Sequence, residues 1–254
     1  MIIRKSAAEL ERMAEAGEIV AQTLELVRES IRPGVTTGEL DRIAEEFIRS
    51  RGGSPTFKGY RGYPAAVCAS PNEMIVHGIP GPYALDEGDV LSVDVGVTLA
   101  GFVADSASTL AVGEIDEATE RLLQTCEAAL AAGIEQARVG NRVGDISAAV
   151  QRTTEEAGFS IVRSLVGHGV GRSMHEDPQV PNFGRPGTGA PLSTGMTIAI
   201  EPMITAGSAD IVVADDMWSI STADGSLAAH FEHTVAITES GPWILTAVRA
   251  RLLQ

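Results

Sequence analysis

The sequence predicts an α+β fold of two pseudo-symmetric halves, about residues 1–114 and 115–254, within one domain covering 1–254. Three observations predict it: two stretches that each run helix, helix, strands; one constant offset that aligns their glycines; and apolar strand segments bounded by turn residues. Units of this kind are expected to share a sheet, with helices on its outer face and a cleft where the halves meet.

In chain order, Ser6-Ala7-Ala8-Glu9 fits a capping box, in which a hydroxyl and a carboxylate satisfy the orphan amides of a helix start. Leu10, Met13, Ala14, Val20, Ala21 and Leu24 then recur at helical spacing, with Gly17 on the same face. Pro33-Gly34 ends that helix. Thr36 and Glu39 open a second, whose stripe of Leu40, Ile43, Ala44 and Phe47 stops at Gly52-Gly53. Strand-rich segments follow over 65–76 and 90–112. The order then repeats: a long helix from about Glu117 to Ala137, Gly140, a shorter helix from Asp145 to Ala157 ended by Gly158, and strands over 161–166, 196–204 and 234–245. With IRPGVTTGELDRIAEEFIRSRGGS laid over ARVGNRVGDISAAVQRTTEEAGFS, Gly34, Gly38 and Gly52 meet Gly140, Gly144 and Gly158. Chance convergence of two helical hairpins is the alternative to a duplication.

The chain has 254 residues, 44% apolar and 21% charged, with a net charge of −15. That describes an ordinary soluble globular protein and argues against broad attraction to nucleic acid or an anionic membrane. There is no nucleic-acid motif and no apolar run long enough to span a membrane. The first twelve residues lack a signal-type apolar region, so a cytoplasmic location is expected. Cys68 and Cys126 are far apart without zinc-knuckle spacing and are expected to be reduced thiols.

SVDVGVTLAGFVADSAST, residues 92–109, reads as a hairpin carrying Asp94 and Asp105 among apolar residues. A two-residue loop at Leu99-Ala100 would set 94 directly opposite 105. Opposed like charges destabilise a sheet, so either a cation lies between them or both carboxylates face solvent. Further on, His168 lies in Gly167-His168-Gly169-Val170-Gly171, where glycines let backbone or ligand approach closely. Glu201 ends the apolar run 196–200, and Glu232 precedes the strand-like 234–238. Four carboxylates balance two divalent cations in formal charge. Oxygen donors with one imidazole and no thiolate suit Mn, Fe, Co or Zn, and a metal pair of this kind activates water for hydrolysis.

The order Asp94, ten residues, Asp105, then Gly-His-Gly-Val-Gly, Ile-Glu-Pro and Phe-Glu-His-Thr resembles the type I methionine aminopeptidases, a group of peptidase family M24 with the pita-bread (creatinase/aminopeptidase) fold. Gly59-Tyr60-Arg61-Gly62-Tyr63-Pro64, Val67-Cys68 and 72–80 extend the match to nearly the whole chain. The resemblance implies a dinuclear site held by Asp94, Asp105, His168, Glu201 and Glu232, with Asp105 and Glu232 bridging two divalent metal ions (Co, Mn, Fe or Zn). Glu201 would also shuttle the proton of a metal-activated hydroxide, His175 would steady the developing oxyanion, and His77 would position the peptide near the leaving amine. The methionine pocket would be lined by Phe57, Tyr60, Tyr63, Cys68, Met174 and Trp218. Met174 stands where an aromatic residue often precedes the histidine, and Phe57 also departs from the family pattern; for both, core filler is an equal reading. Phe231 replaces a common Tyr. His230 and His233 are assigned nothing beyond hydrogen-bond support of the ligands.

The implied activity is removal of the initiator methionine from nascent proteins whose second residue is small. The implied partners are N-terminal methionyl peptides and nascent chains, with transient ribosome contact and a monomeric state. The alternatives are an X-Pro aminopeptidase or prolidase of the same fold, and a catalytically silent binding protein that would have lost at least one ligand.

Overall fold

The computed structural model describes residues 1–247; residues 248–254 of the expected domain lie outside the described residues. In the first half, helices α1 (Ala7–Ser30) and α2 (Thr37–Ser50) precede strands β1 (Ser54–Pro55), β2 (Cys68–Pro71), β3 (Met74–Val76), β4 (Val90–Leu99) and β5 (Phe102–Ala111). In the second, α3 (Glu117–Gln136) and α4 (Val143–Glu156) precede β6 (Ser160–Ile161), β7 (Val166–Gly169), β8 (Glu176–Pro181), β9 (Thr197–Ile200), β10 (Met203–Thr205), β11 (Ile211–Val213), β12 (Ile220–Thr222), β13 (Ala228–His230), β14 (His233–Thr238) and β15 (Gly241–Ile244). All strand pairs are antiparallel, in four sheets.

Both expected capping boxes form, Ser6 with Glu9 and Thr36 with Glu39. The two short helices, α2 and α4, are each 14 residues long and start one offset apart. Gly34 (φ 87°) and Gly140 (φ 95°) precede them, and Gly52 (φ 79°) and Gly158 (φ 87°) follow them, all in the left-handed region that a side chain disfavours. Gly38 and Gly144 each admit a passing backbone: a Cβ would stand 3.0 Å from the Gly81 carbonyl oxygen in one case and 2.3 Å from that of Arg185 in the other. Thr36 and Arg142 each form an isolated antiparallel bridge, to Ala84 and Pro191.

Each half has its own apolar core. Val20, Val27, Leu40 and Ile48 of α1 and α2 pack on Leu91, Val93, Val95 and Val97 of β4. Leu122, Leu130, Ile146 and Val150 of α3 and α4 pack on Ile198, Ile200 and Val235. The halves are joined by hydrogen bonds between β5 and the region of β14: Asp105 N–H donates to Thr234 Oγ1 (3.1 Å), which donates to Asp105 O (2.8 Å), and Glu232 N–H donates to Ala107 O (2.9 Å).

The structure corrects several sequence expectations. The hairpin loop is Ala100-Gly101, not Leu99-Ala100: Leu99 pairs with Phe102, so Asp94 lies opposite Ala107 and Asp105 opposite Gly96. The cause is the turn, with both loop residues at positive φ (49° and 79°), which the right-handed strand twist favours and Gly101 permits. Moving the loop by one residue keeps strand parity, so the two aspartates remain on one face as diagonal neighbours rather than a direct pair. The segment 65–76 contains two strands broken at Asn72 (φ 56°), and α4 begins at Val143 rather than Asp145. Strands β1, β8, β11, β12 and β13 lie outside the segments expected to be strands, and the segment expected over 161–166 is divided between β6 and β7.

Candidate metal centre and apolar pocket

Asp94 projects from the middle of β4, Asp105 from β5 and His168 from β7; Glu201 follows β9, and Glu232 lies in the two-residue link between β13 and β14. Val93 and Val95 beside Asp94, and Ala104 beside Asp105, are apolar and pack in the core under the helices, so alternation along β4 and β5 turns the aspartates to the other face. Asp105 and Glu232 are each 2% exposed and His168 is 7% exposed, while Asp94 is partly buried. The solvent-facing alternative for the aspartate pair is thereby excluded.

Donor atoms of Asp105, His168 and Glu232 lie within 4.8 Å of one another. His168 Nε2 is 3.7 Å from Asp105 Oδ2 and 3.5 Å from Glu201 Oε1. Its Nδ1 is 2.9 Å from the carbonyl oxygen of Gly169, which can only accept, so Nδ1 carries the proton and Nε2 offers its lone pair toward the acids. Asp94 Oδ1, Asp105 Oδ1 and Glu232 Oε1 are buried without a hydrogen-bond partner. Each such orphan costs about 1–3 kcal/mol, more when charged. Carboxylate oxygens and one bare imidazole nitrogen facing a common point fit divalent cations of the Mn, Fe, Co or Zn kind.

The electrostatics carry the same signature. Burial pushes the Asp94 carboxyl up to about 7. Burial, then the charges of Asp94 and Glu201, holds Asp105 well above the usual carboxylate range; Glu201 is raised by burial and Asp94, and Glu232 by burial and the other three acids. Burial lowers His168 to about 4, with His175 adding to the effect. A cluster that otherwise retains protons at neutral pH exchanges them for cations.

All thirteen predicted site residues line one cavity of about 310 Å³: the five above, His77, His175, Phe57, Tyr60, Tyr63, Cys68, Met174 and Trp218. Tyr63 is fixed by donating to Val67 O (3.1 Å) and Gly78 O (2.8 Å), and Trp218 packs edge-on to it at 5.1 Å. Phe57 lies over Gly96, where a Cβ would stand 2.7 Å from its ring. Phe57 and Met174, 7% and 6% exposed, are both core and wall, so the two readings were not exclusive. The His175 ring lies 4.2 Å from that of His168 and stacks on Tyr60, whose hydroxyl is 2.8 Å from His175 Nδ1. Burial, with the Arg61 charge, lowers His175, and burial with His175 lowers His77, so both imidazoles are neutral at pH 7.

Arg61, Ser164, Leu165, Val166 and His230 also line the cavity and were not singled out for it. His230 is 2% exposed, has neither ring nitrogen hydrogen-bonded, and approaches Glu201 Oε2 at 4.0 Å. Its place two residues before Glu232 was the available signal; residues 164–166 offered none. Both cysteines are free and buried, and among the described residues no helix is long and apolar enough to cross a membrane.

Residues 11–239 match metallopeptidase family M24. A curated methionine aminopeptidase of Clostridium perfringens is 52% identical over 249 residues, 98% of this chain and 100% of that protein. The crystal structure of a methionine aminopeptidase from Thermotoga maritima superposes with a TM-score of 0.95 at 46% identity, covering 97% of this chain and 99% of that one. A prolidase from Pyrococcus furiosus shares the fold alone, with a TM-score of 0.78 at 22% identity, covering 98% of this chain and 66% of that one.

Proposed function

The chain belongs to metallopeptidase family M24, and from that premise we propose how its residues divide the work of removing an N-terminal methionine. It is a metal-dependent aminopeptidase of the pita-bread fold. We assign Asp94, Asp105, His168, Glu201 and Glu232 as the residues that would hold two divalent cations. The observation that supports this most is the set of buried, unpartnered carboxylate oxygens on three of these residues beside the bare Nε2 of His168. Cations bound there supply Lewis acidity, which lowers the pKa of a water and draws charge from a carbonyl oxygen.

The chain's own side chains do the rest. The methionine thioether enters between Phe57, Tyr63, Cys68, Met174 and Trp218, where aromatic faces and sulfur suit it. His175, with Tyr60 donating to Nδ1, presents Nε2–H to the scissile carbonyl oxygen, and its neutral ring can donate there without bringing a second charge. His77 orients the peptide near the departing amine. Glu201, ionised once the site is loaded, takes a proton from the attacking water and returns it to that amine. The preferred substrates carry a small second residue after the methionine. Substrates are N-terminal methionyl peptides and nascent chains; a monomer in the cytoplasm with transient ribosome contact completes the reading. The matched glycines and caps of the two halves support their origin as repeats of one unit within a single catalytic domain.

The test is a kinetic comparison. Metal-loaded protein should hydrolyse Met-Ala peptides far faster than Ala-Pro peptides, and chelation should abolish turnover until Mn or Co is restored. Preference for the proline substrate would overturn the assignment. Silence with metal bound would favour a binding protein.

A further inference from the structure

Among the described residues lining the cavity, Arg61 alone carries a permanent positive charge. Nearby cations are engaged elsewhere, Lys58 with Glu45 and Arg172 with Glu9. The Arg61 guanidinium lies 5.4 Å from the Tyr60 ring centroid, and the same ring stacks on His175 at 5.5 Å. Its backbone is held at φ 48° and ψ 24°, the left-handed region that residues with a side chain enter only at a cost. Gly59 (φ 89°) and Gly62 (φ 91°) make the tight turn possible, closed by Gly59 N–H donating to Tyr63 O at 2.8 Å. The fold thus presents an exposed guanidinium at the rim of the cavity, on the Tyr60 side of His175. Backbone strain kept at a site is a pointer to use.

We propose that Arg61 is a specificity determinant that recognises a carboxylate two or three residues beyond the removed methionine. The inference rests on the aminopeptidase reading above. We take methionine to sit among the apolar residues with the scissile carbonyl at His175, so that a peptide leaving on the Tyr60 side passes Arg61. Once the buried acids are neutralised by cations, this guanidinium is the uncompensated charge at the exit. It attracts Asp or Glu there, or the terminal carboxylate of a short peptide, and repels Lys.

The experiment uses the metal-loaded protein and C-terminally amidated Met-Ala-Asp-Ser, Met-Ala-Ser-Ser and Met-Ala-Lys-Ser. An exposed ion pair predicts kcat/KM falling in that order, about 3- to 10-fold from Asp to Lys at low salt, with most of the spread lost at 1 M salt. Because the spread is a ratio within one preparation, differences in metal loading between variants cancel. Arg61→Gln should bring the ratio close to one, and Arg61→Lys should retain most of it. Met-Ala-Ser as free acid against its amide separates a terminal carboxylate from an acidic side chain. An unchanged ratio in Arg61→Gln, or no Asp preference in the parent protein at low salt, overturns this proposal while leaving the aminopeptidase reading intact. If Arg61→Gln does not fold, the salt series on the parent protein decides alone. Failure to cleave any of the peptides would overturn both.

Discussion

The two halves supply the site in different ways. Asp94 and Asp105 come from the interior of two paired strands of ten residues each, where the ladder fixes every side-chain direction. His168, Glu201 and Glu232 come from the second half, on a four-residue strand or just beyond the ends of short strands. The first half therefore holds both its ligands within one long ladder, whereas the second sets His168 between two closely packed glycines and places Glu201 and Glu232 at strand ends. A Cβ on Gly96, beside Asp105 in the first half, would meet only the Phe57 ring; one on Gly167, beside His168, would stand 2.4 Å from the Ala199 carbonyl oxygen.

Removing a carboxylate from the centre of the cluster should have the largest effect. Asp105→Asn should lose bound metal and at least ~100-fold in kcat/KM, read by metal analysis and peptide turnover, since the loss of a ligand exceeds that of an outer partner. The same acids give the metal-free protein a distinctive pH response. Their folded pKa values are raised, so the native state binds more protons than the unfolded one and stability falls as pH rises through the folded values. The buried histidines act in the opposite sense: lowered to about 4 for His168 and about 3 for His230, they add stability as pH rises toward 6.5. Above pH 7 the imidazoles are neutral in both states and the acids act alone. Metal-free protein should then lose thermal stability from pH 7 upward, while Asp105→Asn or restored metal should flatten the decline. A metal-free Tm that is level or rising there would count against the electrostatics described.

Next in size, Gly167→Ala should destabilise by about 1–3 kcal/mol, measured by denaturant unfolding, because a carbonyl on a paired strand cannot retreat. Gly96→Ala should cost less, since the Phe57 ring can tilt. Its effect should fall on the pocket, as a several-fold rise in KM for Met-Ala peptides with metal content unchanged. Equal unfolding penalties for the two variants would erase the distinction between the halves.

The same distinction explains what the sequence made legible. The helices were readable because caps and apolar periodicity are local, and the aspartate pair because alternation within a long hairpin is local too. The loop lies one residue further on than its sequence suggests, and the pairing shifts by two, because Ala100, rather than a glycine or asparagine, occupies the first left-handed position of the turn. Strands β11 to β13 are three residues each, too short for an alternating pattern to show, and β8 carries Glu176, Asp177, Pro178 and Gln179 in place of an apolar run. Arg61 lay within a motif that was read for its aromatic neighbours.

Asp105 and Thr234 exchange hydrogen bonds at the junction of the halves although they are 129 residues apart. Any ion that grips Asp105 together with Glu232 is therefore a staple across almost half of the polypeptide, as well as a reagent. A permanent cross-link of that span is worth about 4–5 kcal/mol in loop-closure entropy. The same grip that would prepare the reaction would also tie the two lobes of the molecule together.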